Sequence, residues 1–200
     1  TTQPTCSLAT GTIVVTAPAN AAGVTYRVIG KKITLVNFFK AYRNQGFRYL
    51  FFMRLSHFYR KNLFIYTFSR MMMRHYSYKF GFQIPSNTKI GKGLYFSHFG
   101  TVVINENVTM GENCNVNHNV TIGRQNRGSK KGSPTIGNFV WFGTGCVVVG
   151  KINIGNNVLI APNSYVNFDV PSNSVVIGNP AKIIEKENPT EDYINQTLLK

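Results

Sequence analysis

Residues 134–166 read PTIGNFVWFGTGCVVVGKINIGNNVLIAPNSYV, and an apolar residue returns in them at every sixth position. The same period occupies residues 104–122, ahead of an interruption. The sixth-position residues are Ile104, Met110, Val116, Ile122, Ile136, Phe142, Val148, Ile154, Ile160 and Val166. A helix repeats every 3.6 residues and a strand every two, so neither keeps a strict period of six. The pattern therefore predicts an all-β solenoid in which each six-residue unit forms one short side and one corner.

The corners of this solenoid are predicted at the glycines and asparagines between the apolar residues. Gly follows the sixth-position residue in Met110-Gly111, Ile122-Gly123, Ile136-Gly137, Phe142-Gly143 and Ile154-Gly155. Both residue types tolerate a positive φ, which a sharp corner can require. A second small or branched residue stands two positions before most sixth-position residues and is predicted to point inward as well.

The composition indicates one domain with a short appendage and an uneven charge. The 200 residues include 22 Lys+Arg against 7 Asp+Glu, which gives a net charge of +15. Eleven of the basic residues and no acidic residue fall between Lys31 and Phe80. No apolar run approaches the ~18 residues that span a bilayer, and no signal peptide is evident in a chain that begins at Thr1.

The three cysteines predict no disulfide framework. Cys114 and Cys146 fall on predicted inward positions, where a cysteine acts as a small buried hydrophobe, and Cys6 stands alone. We therefore expect a reduced, cytoplasmic protein.

The chain divides into four predicted parts. Residues 1–30 form an extension of unknown role with two strand-like runs, 10–16 and 23–29, and weakly resemble the Thr-rich β-repeats of surface adhesins. Residues 31–82 form a basic, aromatic helical cap, in two or three helices broken near Asn44-Gln45-Gly46 and Lys61-Asn62. Residues 83–184 form the solenoid, and residues 185–200 a short acidic helix or tail.

The cap is expected to cover the first coil, because the end coils of a solenoid need covering. Its surplus of basic and aromatic residues also suggests a peripheral contact of residues 31–80 with the inner face of a membrane. The net charge could also suggest nucleic acid, but the basic stretch has no recognisable nucleic-acid fold, and no nucleic-acid partner is expected.

Two interruptions of the period are candidates for function, because loops that break a rigid scaffold tend to carry it. Phe96 and Ile104 are eight residues apart, so two extra residues bulge out beside His98. His118 follows twenty residues later, and both side chains are predicted on the same side of the solenoid, one coil apart. The second interruption is the basic loop 124–133. The other histidines, His57 and His75, lie in the cap and are expected to be solvated or packed.

Residues 89–103, KIGKGLYFSHFGTVV, resemble the segment around the catalytic histidine of serine acetyltransferases. The resemblance continues through NVTIG (119–123), the loop and PTIG (134–137), and covers about half the chain. It implies a hexapeptide-repeat acyltransferase with a left-handed parallel β-helix, and a homotrimer with each active site between two subunits and the 124–133 loop reaching a neighbour. The hand comes from the resemblance, since the usual crossover is right-handed.

The resemblance implies His98 as the general base that activates a hydroxyl acceptor. Imidazole, with an ordinary pKa near 6.5, suits this task. His118 is a second candidate, to assist His98 or contact the acceptor. Acetyl-CoA is the implied acyl donor, and no metal is expected. The positions that match the family's CoA groove are Gly143, Thr144, Gly145, Ala161, Pro162 and Lys182, with Lys151 a further candidate for the phosphates.

Four departures from the family bear on the acceptor. An acidic residue that orients the catalytic histidine is replaced by Gln83, the Asp beside that histidine by Ser97, and an Arg-His pair of the loop by Gly132 and Ser133. The groups that suit a zwitterionic amino acid are thus missing. By analogy, the sequence favours the serine-acetyltransferase-like enzymes that O-acetylate saccharides in surface polysaccharide synthesis.

The sequence leaves three alternatives to this interpretation. Serine O-acetylation for cysteine biosynthesis is weakened by the four departures. A non-catalytic β-helix scaffold would leave His98 without a role. A β-helical carbonic anhydrase would need a three-histidine zinc set, which two solenoid histidines do not supply within one chain.

Overall fold

The structure is a computed structural model that describes residues 35–195 and 197, apart from the side chain of Asn37, and the backbone of residues 14–16 and 25–27. In the first part of the chain, β1 (Val14–Thr16) and β2 (Thr25–Arg27) pair antiparallel. Cys6 and the rest of the predicted extension lie outside the described residues, and the role predicted for residues 1–30 stays untested.

Three helices precede the solenoid: α1 (Leu35–Tyr42), α2 (Gln45–Phe58) and α3 (Leu63–Phe80). The breaks between them have a chemical cause. The side-chain oxygens of Asn44 and Asn62 accept hydrogen bonds from backbone N–H groups three residues on, at 2.9 and 3.1 Å, which begins α2 and α3. Gly81, with φ of 81°, ends α3 in the left-handed conformation.

The solenoid consists of three parallel sheets, each contributed by successive coils. The first face has β3 (Phe82–Gln83), β6 (Val102–Ile104), β9 (Val120–Gly123), β12 (Val147–Val149) and β15 (Tyr165–Val166). The second has β4 (Lys89–Ile90), β7 (Thr109–Met110), β10 (Thr135–Ile136) and β13 (Asn153–Ile154). The third has β5 (Tyr95–Phe96), β8 (Asn115–Val116), β11 (Val140–Phe142), β14 (Val158–Ile160) and β16 (Ser174–Gly178), with β17 (Ala181–Glu185) antiparallel at its edge.

The ten sixth-position residues from Ile104 to Val166 are all buried, as the period predicts. A regular coil has 18 residues, since Val102 pairs with Val120. The bulge beside His98 lengthens its coil by two, because Lys89 pairs with Thr109. Thr121 pairs with Val147, so the 124–133 interruption is looped out without disturbing the register of the strands.

The glycines that follow the sixth-position residues have a different role from the one predicted. Gly111, Gly137 and Gly155 do not adopt positive φ; an added Cβ at each would lie 2.5–2.8 Å from backbone of the next coil, so they permit close stacking. Asparagines supply the left-handed corners, with φ between 54° and 59°: Asn113, Asn119, Asn157, Asn163 and Asn173.

The cap covers the first coil through α2. The Tyr49 ring packs on Phe82 with 5.3 Å between ring centroids, and its hydroxyl donates to the Ile84 carbonyl at 2.7 Å. The guanidinium of Arg54 donates to the carbonyls of Ile90 and Gly91 at the edge of the same coil. Within residues 35–195 no helix is long and apolar enough to cross a membrane.

The C-terminal segment is not helical in its described part and lies back on the third face. Tyr193 stacks edge to face on Trp141, with ring centroids 4.9 Å apart, and its carbonyl accepts from the Asn115 side chain at 3.2 Å. Thr190 is buried there. These contacts place the acidic end of the chain against the outer surface of β8 and β11.

Candidate active site

One corner of the solenoid, between the third and first faces, carries most of the residues singled out from the sequence. We call it the histidine corner and define it as residues 97–101, 117–119, 143–145 and 161–163. Successive levels are joined by backbone hydrogen bonds: Gly145 N–H donates to His118 O at 3.2 Å, and Asn163 N–H to Thr144 O at 2.9 Å. The period places these levels in one column because each is a whole number of coils from the next.

His98 and His118 are in contact at the upper end of this corner. Their ring centroids are 5.6 Å apart and their planes form an angle of 83°. His98 is exposed, as is its neighbour Phe99. The His118 ring is half-buried, and its Nδ1 is buried without a hydrogen-bond partner in the protein. A buried ring nitrogen without a partner is costly, so this position favours a ligand or water that completes its bonding.

Gly100, which sequence reasoning passed over, brings the two rings together. It has φ of 143°, and a Cβ there would lie 2.9 Å from the Cβ of His118. Its N–H donates to the Phe80 carbonyl at the end of α3 at 3.0 Å. The bulge thus rejoins the coil through a residue that has no side chain. The feature of the sequence that indicates this close approach is the glycine two residues after His98.

The predicted CoA residues lie below the histidines on the same corner. The half-buried Thr144 and the exposed Pro162 face solvent, and Ala161 is buried. Coil stacking alone accounts for the two glycines: a Cβ on Gly143 would lie 2.5 Å from the Pro162 nitrogen, and Gly145 has φ of 72°. Their N–H groups are engaged with the carbonyls of Ile160 and His118, so these two donors are not free to stabilise an oxyanion.

Lys182 lies at the lower end of this column. It is exposed on β17 opposite Ile177, in a hairpin whose Gly178 N–H donates to the Ser164 hydroxyl at 3.0 Å. Lys151 is also exposed, but it lies at the next corner, against Gly132 of the basic loop. Of the two lysines, Lys182 is therefore the one that the fold associates with the histidine corner.

The 124–133 loop lies at a different corner from the histidines in one chain, because it joins β9 to β10, whereas His118 precedes β9. It folds onto its own solenoid: Gln125 and Gly132 exchange backbone hydrogen bonds at 2.9 Å, and the Lys130 ammonium donates to the Asn167 carbonyl at 2.9 Å. The Ser133 hydroxyl is 3.0 Å from the Asn105 side-chain oxygen.

The other two departure positions are closer to the bulge. Ser97 immediately precedes His98, and its N–H donates to the Val116 carbonyl. Gln83 is exposed on β3, where it pairs with Val103. No acidic residue occurs in the sequence of the histidine corner.

Neither a metal cluster nor a reactive thiol is built into the described part of the chain. Residues 35–195 contain no group of three His, Cys, Asp or Glu side chains that could hold a metal ion. Cys114 and Cys146 are buried free thiols, and burial raises the pKa of each from 9.0 to about 12. Both are therefore protonated at neutral pH.

Comparison with known proteins gives a consistent set of relatives. No protein-family model matches the chain. A serine acetyltransferase of Helicobacter pylori is 35% identical over 142 residues, which cover 71% of this chain and 82% of the relative. A Synechococcus elongatus serine acetyltransferase is 34% identical over 119 residues, 60% of this chain and 49% of the relative.

Solved structures similar to this chain are also serine acetyltransferases. Serine acetyltransferase of Brucella abortus in complex with coenzyme A has a TM-score of 0.62 and 30% identity, over 72% of this chain and 57% of that one. Neisseria gonorrhoeae serine acetyltransferase in complex with serine has a TM-score of 0.61 and 30% identity, over 73% and 59%. The chain thus spans less than two thirds of these solved proteins, but most of the Helicobacter relative.

These similarities confirm the predicted hexapeptide-repeat, left-handed β-helical fold with helices at its N-terminus. The chain belongs to the serine acetyltransferase family of acetyl-CoA-dependent acyltransferases.

Proposed function

We propose that this protein transfers an acetyl group from acetyl-CoA to a hydroxyl, with His98 as the general base. The observation that carries the proposal is the exposed His98 imidazole, set on a two-residue bulge and held 5.6 Å from the His118 ring. A solenoid whose only task was structural would have no need for the bulge.

The proposed chemistry follows from the position of this imidazole. An alcohol is a poor nucleophile at neutral pH, so a base must accept its proton as its oxygen attacks the thioester carbonyl. His98 then returns the proton to the sulfur of the leaving CoA, which restores neutral imidazole. Such a positioned base contributes about 10²–10⁴-fold to the rate. The described residues include no reactive cysteine at the site, which favours direct attack over a covalent acyl-enzyme.

The lower levels of the histidine corner suit the acyl donor. Small residues, Gly143 and Ala161 among them, leave the levels below His118 without large side chains. The corner has no acidic residue, and exposed Lys182 at its lower end could face the CoA phosphates. Thr144 and Pro162 would then contact the pantetheine arm.

Serine is the leading candidate for the acceptor. The sequence favoured a saccharide, but the relatives and the solved structures bear the name serine acetyltransferase, and one of those structures holds serine. These names support the alternative rather than the interpretation preferred from the sequence.

A saccharide hydroxyl is the second candidate, and one observation favours it. Gln83 and Ser97 stand where the family is expected to have acidic side chains, and Gly132 and Ser133 where it is expected to have an Arg-His pair. A zwitterion without a carboxylate for its ammonium and a guanidinium for its carboxylate loses charge-assisted hydrogen bonds. A neutral polyol has no such need.

The site is proposed to be completed by a second copy in a homotrimer. Within one chain, strand β9 separates the basic 124–133 loop from the histidine corner. The loop is therefore proposed to approach the histidine corner of a neighbouring subunit. Sedimentation equilibrium with the intact chain and with a loop-shortened variant would test this arrangement.

Thiol release from acetyl-CoA by purified protein tests the function, with free serine, nucleotide sugars and short glycans compared as acceptors. Release with serine supports the leading candidate. Release with sugars alone supports a saccharide acceptor. It would also indicate that the four departures from the family, at Gln83, Ser97, Gly132 and Ser133, removed the site for an amino acid. No release with any acceptor, together with no CoA binding by calorimetry, would favour a scaffold.

A further inference from the structure

The outer face of α3 is apolar and exposed although the helix is already packed through its other side. Ser69, Met73, Tyr76 and Phe80 are its buried residues, and they lie against α2 and the first coil. On the opposite side Leu63 is 78% exposed, Phe64 82% and Met71 60%. These three form an open groove with Thr67 and Phe68. A contiguous apolar surface of this kind usually marks an interaction site.

Cationic side chains border this face. Arg60 and Lys61 are exposed just before α3 begins, and Arg70, Arg74 and Lys79 are exposed along it. The Arg74 guanidinium lies 5.6 Å from the centroid of the exposed Tyr78 ring. Since no acidic residue occurs between Lys31 and Phe80, this charge is not neutralised within the cap sequence. We call the surface formed by Leu63, Phe64, Phe68, Met71, Arg74 and Tyr78 the α3 face.

We propose that the α3 face binds peripherally to an anionic phospholipid bilayer. A helix with apolar and aromatic residues on one side and basic residues at its borders lies in the interfacial region of a membrane, with its apolar side chains among the acyl chains and its cations at the headgroups. The α3 helix has 18 residues but is not apolar enough to cross, so it lies along the surface.

Charge favours this occupant over a second copy of the chain. Two α3 faces brought together would oppose Arg60, Lys61, Arg70 and Arg74 of one copy to the same residues of the other, with no carboxylate from either cap to separate them. Like charges across an interface are unfavourable. An anionic lipid surface offers a partner for both the cations and the apolar side chains.

The proposal is independent of the acceptor and of the catalytic role of His98. The groove lined by Leu63, Phe64 and Met71 lies in the first half of α3, whereas the bulge that carries His98 meets the end of the helix, where the Gly100 N–H donates to the Phe80 carbonyl. Membrane binding and acetyl transfer can therefore be measured separately on the same variants.

Co-sedimentation of the full chain with vesicles tests the proposal. Vesicles of phosphatidylcholine alone are compared with vesicles that contain phosphatidylserine. We expect the protein to bind to the anionic vesicles. It should be released as the salt concentration rises, because salt screens the electrostatic attraction, which extends over only about 8 Å at physiological ionic strength. Little binding to the neutral vesicles is expected.

Two variants separate the apolar and the charged contributions. Phe64→Ser should weaken partitioning about tenfold, because it removes a large exposed ring from the contact. Arg74→Gln should weaken it about fivefold, the effect of one basic side chain near an anionic surface. Ile184→Ser and Lys186→Gln are matched controls, exposed at the other end of the solenoid. All four variants should keep the parent rate of thiol release from acetyl-CoA.

Three outcomes would overturn the proposal. The first is that the parent protein fails to sediment with anionic vesicles at low salt. The second is that Phe64→Ser and Arg74→Gln sediment as well as the controls. The third is that Phe64→Ser reduces the mass of the assembly in light scattering without affecting vesicle binding. The last result would assign the α3 face to contacts between copies of the chain.

Discussion

Gly100 and His118 lie on successive coils, so close that a Cβ on Gly100 would be 2.9 Å from the Cβ of His118. Because Gly100 has no Cβ, the bulge that carries His98 can pass close to the coil that carries His118. Because the coil below cannot move without breaking its ladder, the His98 ring is held edge to face on the His118 ring. The position of the His98 ring thus depends on the absence of a side chain at Gly100, two residues further along the chain.

Gly100→Ala tests this dependence. An added methyl must displace His118 or the bulge, and φ of 143° is strained for alanine, so we expect a loss of about 1–3 kcal/mol in the free energy of unfolding. Acetyl transfer should fall further than stability explains. Urea unfolding and thiol release would be measured in parallel. Gly123→Ala is the control, because its Cβ would meet Val149 at an ordinary 3.4 Å. Equal effects in both variants would contradict a special role for Gly100.

His98→Ala should lower the rate of acetyl transfer by about 10²–10⁴-fold, the contribution of a positioned base. His98 is exposed, so the fold and assembly should be retained, as circular dichroism and light scattering would verify. The matched control is His57→Ala, which removes an exposed histidine from α2. A near-normal rate for His98→Ala would exclude it as the base and make His118 the candidate.

His118→Ala is expected to weaken binding of the acceptor. The buried, unpartnered Nδ1 suggests that this ring completes its bonding with the acceptor or a water beside it. Loss of one such hydrogen bond should raise the acceptor KM about three- to tenfold, with the KM for acetyl-CoA unchanged. Alanine keeps the Cβ that contacts Gly100, and His118→Gln should recover part of the loss because an amide also donates and accepts. A fall in kcat alone, at unchanged acceptor KM, would instead indicate that His118 assists the proton transfer.

The regular part of the molecule could be predicted because a six-residue period leaves few alternatives. Ile136, Val148 and Ile160 had to point inward, and the coil length then placed His98 above His118. The conformation of the corners did not follow from the period, since Gly137 serves close stacking while Asn157 adopts the left-handed φ. The contact of Tyr193 with Trp141 and the exposed side of α3 depend on tertiary packing that no local pattern encodes.

Arg54 joins the cap to the first coil, and its replacement should loosen that junction. Its guanidinium is mostly buried, donates to the carbonyls of Ile90 and Gly91, and has its pKa lowered by burial. Arg54→Met keeps the length of the side chain but leaves both carbonyls without this donor, at a cost of about 1–3 kcal/mol in the free energy of unfolding. Urea titration would measure it, with the exposed Arg60→Met as control. Equal stability of the two variants would contradict a joining role for Arg54.

The buried cysteines give a prediction that depends on pH. In a Cys6→Ser background the native protein should not react with a thiol reagent at pH 8, and two thiols should react after denaturation. The pKa of Cys146 is raised by burial to about 12, above its unfolded value of 9.0. The unfolded chain therefore loses a proton above pH 9 that the folded chain keeps, so the stability from this group is present below pH 9 and falls as pH rises toward 12.

Cys146→Val isolates that contribution. Valine occupies the equivalent inward position one coil earlier, at Val120, so the core should accept it with little change. Between pH 8 and pH 10 the parent should lose more of its free energy of unfolding than Cys146→Val, by up to about 1.4 kcal/mol, the value of one proton over one pH unit. Parallel pH dependence in the two proteins, or rapid labelling of the native parent, would show that the thiol is accessible rather than held in the core.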